Sequence, residues 1–183
     1  MHSRIHDARI LAVDLRFRRS GFALFEGPKR LLDFGTVVIP SGRYEKAGSR
    51  FSDLMKLSLP SAIVVKKERW EDLMARSDQK PPIGALTNES EAHLLRIRLL
   101  EHGALISTFR NLGCDTKAQI STMLARIFPE LVWQLPPERK VWQSEHPRQR
   151  VFDAIALGFA YWQRETAAIA DPQVRMEIPE EGT

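Results

Sequence analysis

The sequence predicts an α/β fold built on a mixed five-stranded sheet, three antiparallel strands followed by parallel ones, with helices flanking it. Three observations lead there. Residues 9–40 hold three short apolar runs separated by turn-like gaps. A helix-period segment divides the third run from a fourth, and the C-terminal half alternates helix-period stripes with a short apolar run. At 183 residues and 43% hydrophobic content, the chain has apolar material for one domain, expected over residues 1–170.

Arg9 to Leu15 (RILAVDL) reads as an aliphatic strand ending in an acid. Ser20 to Glu26 (SGFALFE) alternates, and Leu31 to Pro40 becomes β-branched toward its end. The gaps are short, with Gly27 and Pro28 in the second, so the three strands are expected to be antiparallel neighbours. Phe51, Leu54 and Met55 space a helix over Arg50 to Leu59, closed by Pro60. Ala62 to Val65 (AIVV) is then a fully apolar strand, and a helix between two strands implies a crossover and parallel pairing. Trp70 to Asn88 is polar, contains Pro81 and Pro82 and shows no period, so it reads as a long loop. Ala92, Leu95, Leu99 and Leu100 make a helical stripe over Glu89 to Glu101 that stops at Gly103, and Ala104 to Thr108 reads as the fifth strand. Asp115 is placed to cap a helix carrying Ile120, Met123, Leu124, Ile127 and Phe128 before Pro129. A polar connection, Gln134 to Pro147, precedes the last helix, Arg148 to Glu165, whose apolar face is Val151, Phe152, Ile155, Phe159 and Trp162.

Composition excludes several classes. The single cysteine, Cys114, rules out an intramolecular disulfide framework and a zinc site built on several thiolates. The longest apolar runs are too short for a bilayer and no charged-then-apolar leader is present, so a cytoplasmic protein without membrane partners is expected. Net charge is +4. Residues 171–183 hold Asp171, Glu177, Glu180 and Glu181 against Arg175, so an acidic tail of −3, expected to be disordered, leaves +7 on the body. A basic body favours polyanions, because each phosphate neutralised releases condensed counterions.

Two acids stand in apolar surroundings: Asp14 at the end of the first strand, seven residues before Gly21, and Asp153 between Phe152 and Ala154. A buried carboxylate needs a cation, a hydrogen-bonding partner or a solvent-filled cleft. Brought together, two such acids could hold Mg²⁺, which takes one or two carboxylates plus waters and phosphate oxygens. Held apart, one is an ordinary turn residue and the other faces water.

The segment Ile10-Leu-Ala-Val-Asp14 through Gly21-Phe-Ala-Leu-Phe25 resembles the first hairpin of the RuvC-like branch of the ribonuclease-H-like superfamily. Leu59-Pro-Ser-Ala-Ile-Val-Val65 resembles its fourth strand, Thr116-Lys-Ala-Gln-Ile120 its lysine-bearing helix, and Phe152-Asp-Ala-Ile-Ala-Leu157 the start of its last helix. The resemblance covers residues 9–165, and its spacing and length suit a Holliday-junction resolvase. It implies a ribonuclease-H-like sheet and a homodimeric endonuclease dependent on Mg²⁺ or Mn²⁺ that cuts branched DNA. In such an enzyme Asp14 would bridge two ions and Asp153 would hold one of them.

Two of the four ligand positions that the resemblance implies are cationic here, so the alternative is a catalytically degenerate relative that binds branched or structured nucleic acid, or a protein partner, without cleavage. Lys66 stands where the family carries a glutamate at the end of the fourth strand, and Arg150 where it carries an acid or histidine one turn before Asp153. Glu68 is expected to replace the missing glutamate if the fourth strand runs on past Lys66, since side chains two apart share a face. Glu145 or His146 could reach in from the connection before the last helix. The fold also gathers Arg16, Arg18 and Arg19, then Lys66, Lys67 and Arg69, then Arg139, Lys140, Arg148 and Arg150 at one end of the sheet, with Lys117 nearby, as a phosphate-binding surface. Trp70, Trp133 and Trp142 are candidates to stack on a base or to pack over a core edge.

Overall fold

The computed structural model describes residues 8–38, 45–75, 86–88, 90–91, 94–137 and 144–170. Expectations for residues 76–85, for Glu89 and Ala92, for Arg139, Lys140 and Trp142, and for the tail after Ala170 lie outside them.

Five strands form one sheet: β1 (Arg9–Asp14), β2 (Arg19–Glu26), β3 (Arg30–Val38), β4 (Ala62–Lys66) and β5 (Arg96–Leu100), in the order β3-β2-β1-β4-β5. The first three are antiparallel neighbours, and β4 and β5 run parallel to β1. The helices are α1 (Glu45–Ser58), α2 (Lys67–Ala75), α3 (His102–Arg110), α4 (Lys117–Ile127) and α5 (Gln149–Ala170), with a 3₁₀ turn at Pro129–Gln134. No helix among the described residues is long and apolar enough to cross a membrane.

Strand alternation sorts the core into two layers. Ile10, Ala12, Ala23, Phe25, Ala62 and Val64 face α3, α4 and α5, whereas Leu11, Val13, Phe22, Leu24, Ile63 and Val65 face α1 and Leu73 of α2. Both faces of the central strands are therefore buried, which is why β1 and β4 are almost continuous apolar runs. The same alternation, carried one step beyond the last apolar residues, assigns Asp14 and Lys66 to the α5 side. Val13 pairs with Val65, so these two residues follow side by side at the ends of β1 and β4.

The sheet and its strand directions match expectation, but three elements do not. The stretch after Lys66 is helix α2 rather than the opening of a long loop, and it escaped notice because Leu73 is its one buried residue. The region read as a helix up to Glu101 contains β5, and the stretch read as a fifth strand is α3. Short apolar runs fit both periods. In α3 the buried pair Leu105 and Phe109 is spaced at i,i+4, while β5 is an edge strand that buries only Leu100. The cap of α4 is Thr116 rather than Asp115: its side chain accepts the N–H of Gln119, whose side chain reaches back to the Thr116 N–H.

Two glycines set how closely α5 lies on the sheet. A Cβ at Gly158 would come within 2.3 Å of the Phe25 ring, and one at Gly21 within 2.0 Å of the Arg150 carbonyl oxygen. Gly21 pairs with Asp14 across β1 and β2, so the absent side chain brings the first turn of α5 against the end of β1. Gly21→Ala should destabilise the fold by about 1–3 kcal/mol through overpacking against backbone. Gly103→Ala, in the first turn of α3 with open space around it, should instead stabilise by about 0.5–1 kcal/mol. Urea denaturation of the two variants checks the opposite signs.

Candidate functional site

Asp14 is only 2% exposed. After β1 the chain turns through residues 15–18, and Ser20 pins that turn: its hydroxyl accepts the Arg16 N–H at 3.0 Å and donates to the Arg16 carbonyl at 3.1 Å. The turn folds the Arg16 side chain back so that its Nε donates to Asp14 Oδ2 at 3.0 Å. From α5, Arg150 Nη1 lies 3.9 Å from the same oxygen and 3.5 Å from Glu145 Oε2. Both separations exceed a hydrogen bond, and this buried nitrogen has no hydrogen-bond partner, so Arg150 acts on the two acids through charge alone.

The capping box at Thr116 fixes Lys117 as the first residue of α4. Its ammonium donates to Glu145 Oε1 and, at 3.1 Å, to Asp153 Oδ2. The amide of Gln149 donates to Asp153 Oδ1 at 3.2 Å and to Ser121 Oγ at 3.4 Å. Charges thus alternate along one connected chain, Arg16, Asp14, Arg150, Glu145, Lys117 and Asp153. Lys66 acts on Asp14 from the β4 side. A cavity of about 220 Å³ opens beside the chain, lined by Lys117, Glu145 and Gln149 together with Leu135 to Pro137.

Burial pushes the Asp14 carboxyl above its ordinary value, with Asp153 adding to the effect and Arg16 and Lys66 opposing it. Burial also acts to raise Glu145, but the hydrogen bond and charge of Lys117, then Arg150 and Arg16, outweigh it and hold Glu145 below the usual carboxylate range. Lys117 is disfavoured as a cation by burial, yet Asp153 and Glu145 raise it above its ordinary value.

The structure therefore brings Asp14, Glu145 and Asp153 together around Arg16, Lys117 and Arg150. His146 takes a different position, where its Nδ1 accepts the Arg148 N–H at 3.2 Å as the chain enters α5. Glu68 corrects an expectation. The fourth strand ends at Lys66 and α2 starts at Lys67, so strand alternation no longer applies to Glu68, and its Oε1 accepts the His102 N–H at the start of α3 at 2.7 Å. Among the expected phosphate-binding cations, Lys67 pairs with Glu101 at 3.0 Å, and Arg69 donates to the Leu15 carbonyl at 3.1 Å. Arg148 donates to the Trp133 carbonyl at 3.4 Å, while Arg18 and Arg19 are exposed. Trp133 is exposed and Trp70 packs beside the core on the α1 side.

Mg²⁺ or Mn²⁺ would need carboxylate oxygens turned toward a common point. Of the six oxygens on Asp14, Glu145 and Asp153, five already face a cation or an amide N–H. Among the described residues, no three His, Cys, Asp or Glu side chains are grouped so as to hold a metal ion. As arranged, the donor set does not fit a divalent ion.

No protein-family model and no curated protein matches the sequence. Solved structures do match. RuvC of T. thermophilus in complex with a Holliday junction substrate superposes with a TM-score of 0.62 at 13% identity, covering 86% of this chain and 96% of that one. The Thermus thermophilus RuvC structure gives a TM-score of 0.62 at 14% identity, covering 87% and 96%. The chain shares its fold, a mixed five-stranded sheet flanked by helices, with these RuvC structures.

Arg150→Met should cost on the order of 2–3 kcal/mol, toward the low side for a broken buried pair because Arg16 still faces Asp14. Glu145 titrates below the ordinary carboxylate range, so its stabilising contribution is complete above that range and is lost as pH falls through the lowered value. Glu145→Gln should therefore destabilise the protein at neutral pH, with the gap to the parent closing as pH falls through the lowered value of Glu145. Urea denaturation across pH tests this, and a gap that does not change with pH contradicts it.

Proposed function

We propose that the protein binds branched DNA, such as a four-way junction, through the end of the sheet around Asp14 and the first turn of α5. The observation that supports this is the sign of the charge there. Asp14, Glu145 and Asp153 are set against Arg16, Lys66, Lys117 and Arg150, which leaves one positive charge in excess where three acids alone would repel a phosphate. Arg18, Arg19 and Arg148 are exposed in the β1–β2 turn and just before α5, where they can extend that positive surface along a phosphate backbone.

The shared fold supports the shape of the ligand, since RuvC of T. thermophilus was solved with a Holliday junction substrate. Two copies related by a two-fold axis would match the pseudo-symmetry of a four-way junction, so the DNA-bound form is a homodimer. Hydrolysis of the junction is the second reading, favoured by the convergence of the three acids, but it would require those acids to leave their present partners.

Fluorescence anisotropy with a four-way junction, linear duplex and single strands is the direct test. Junction binding should be the tightest, and each of Arg18→Ala, Arg19→Ala and Arg148→Ala should flatten the slope of log K against log salt by about 0.9. Equal affinity for linear duplex would reject branch selectivity, and metal-dependent cleavage of the junction would establish the second reading. Light scattering of the complex measures the number of copies.

A further inference from the structure

We infer that Lys66 and Arg150, backed by Arg16 and Lys117, take the place of divalent ions, so that this end of the fold carries its compensating charge permanently and needs no metal. Asp14 and Asp153 lie at opposite ends of a chain whose other members are the side chains of Arg150, Glu145 and Lys117. The cations come from four separate places, Arg16 from the turn after β1 and the other three from separate elements. Lys66 is delivered by β4 on the α5 side of the sheet, Lys117 by the first residue of α4, and Arg150 by the first turn of α5. Lys66 and Arg150 stand at the two positions where the resemblance implies metal ligands, whereas Lys117 stands where the family already carries a lysine.

The replacement is unlike the ions in one respect. A guanidinium or ammonium group neutralises carboxylates and holds phosphate oxygens, but it does not coordinate a water and lower its pKa as a metal ion does. Such a centre keeps an anion-binding face and gives up the means of making a hydroxide nucleophile. The buried, unbonded Nη1 of Arg150 fits this role, because its position between Asp14 and Glu145 is set by charge rather than by hydrogen-bond geometry.

The inference concerns the free protein and stands apart from the DNA reading, so it is measured without DNA. Mn²⁺ binding is followed by calorimetry and by the electron paramagnetic resonance of the free ion, with thermal denaturation alongside. The parent should take up no Mn²⁺ and show the same Tm with Mn²⁺ or with EDTA. Lys66→Glu with Arg150→Asp should acquire Mn²⁺ binding and a Tm that rises with Mn²⁺. Lys66→Glu alone, at the half-buried end of β4, is the milder variant and should gain weaker binding, and circular dichroism establishes that each is folded. Mn²⁺ binding by the parent overturns the inference, as does a folded double variant that gains none. A parent that ignores Mn²⁺ and also fails to bind the junction would remove the DNA proposal and leave this one in place.

Discussion

The site depends on one steric fact, the contact between the Arg150 backbone and Gly21. Because β2 has no side chain at that position, the first turn of α5 settles against the β1–β2 hairpin directly across from Asp14. Farther along the same helix, Gly158 leaves room for the Phe25 ring at 2.3 Å from where a Cβ would stand, with Ala12 at 3.1 Å. The helix is thus held flat on the sheet at two points, and its polar first turn is committed to the end of β1. A side chain at Gly21 would lift that turn, and with it every cation–acid distance in the site.

Once α5 is fixed, electrostatics governs what can stand there. An acid as buried as Asp14 is not stable alone, and the neighbouring Asp153 makes its ionised form harder to keep. Metal ions are one remedy for such a cluster; side-chain cations are another. Here the cations come from β4, α4, α5 and the β1–β2 turn, so the balance of charge is also a set of long-range ties among elements far apart in sequence. Arg148 and the pair Arg18 and Arg19 lie outside the alternating chain of ion pairs, which separates the cations that neutralise the centre from those on the surface.

Much of the sheet and the two principal acids can be read directly in the residues. The apolar runs of β1, β2 and β4, the seven-residue interval from Asp14 to Gly21 and the apolar setting of Asp153 are local patterns. The elements that misled are those whose burial is slight. Helix α2 buries Leu73, and β5 buries Leu100, so neither writes a clear period into its sequence. Glu145 was visible only as one of two residues able to reach inward, because its place depends on Lys117 and Arg150 meeting it from separate helices. Glu68 shows the converse: a strand extended by one more pair would have aimed it at Asp14, and the start of α2 at Lys67 gave it to the α3 amide instead.

The positions of Lys117 and Arg150 have a further electrostatic meaning. They are the first and second residues of α4 and α5, and neither helix has an acid in its first turn. The peptide dipoles of a helix place roughly half a positive charge at its N-terminus, the end where a cation is least welcome. Two helices therefore add backbone charge to side chains of the same sign, and Glu145 and Asp153 counter both at once. Side-chain substitutions can alter the ammonium and guanidinium groups, but the peptide contribution stays as long as the helices do. This end of the molecule therefore carries positive charge of backbone origin that no side-chain substitution removes.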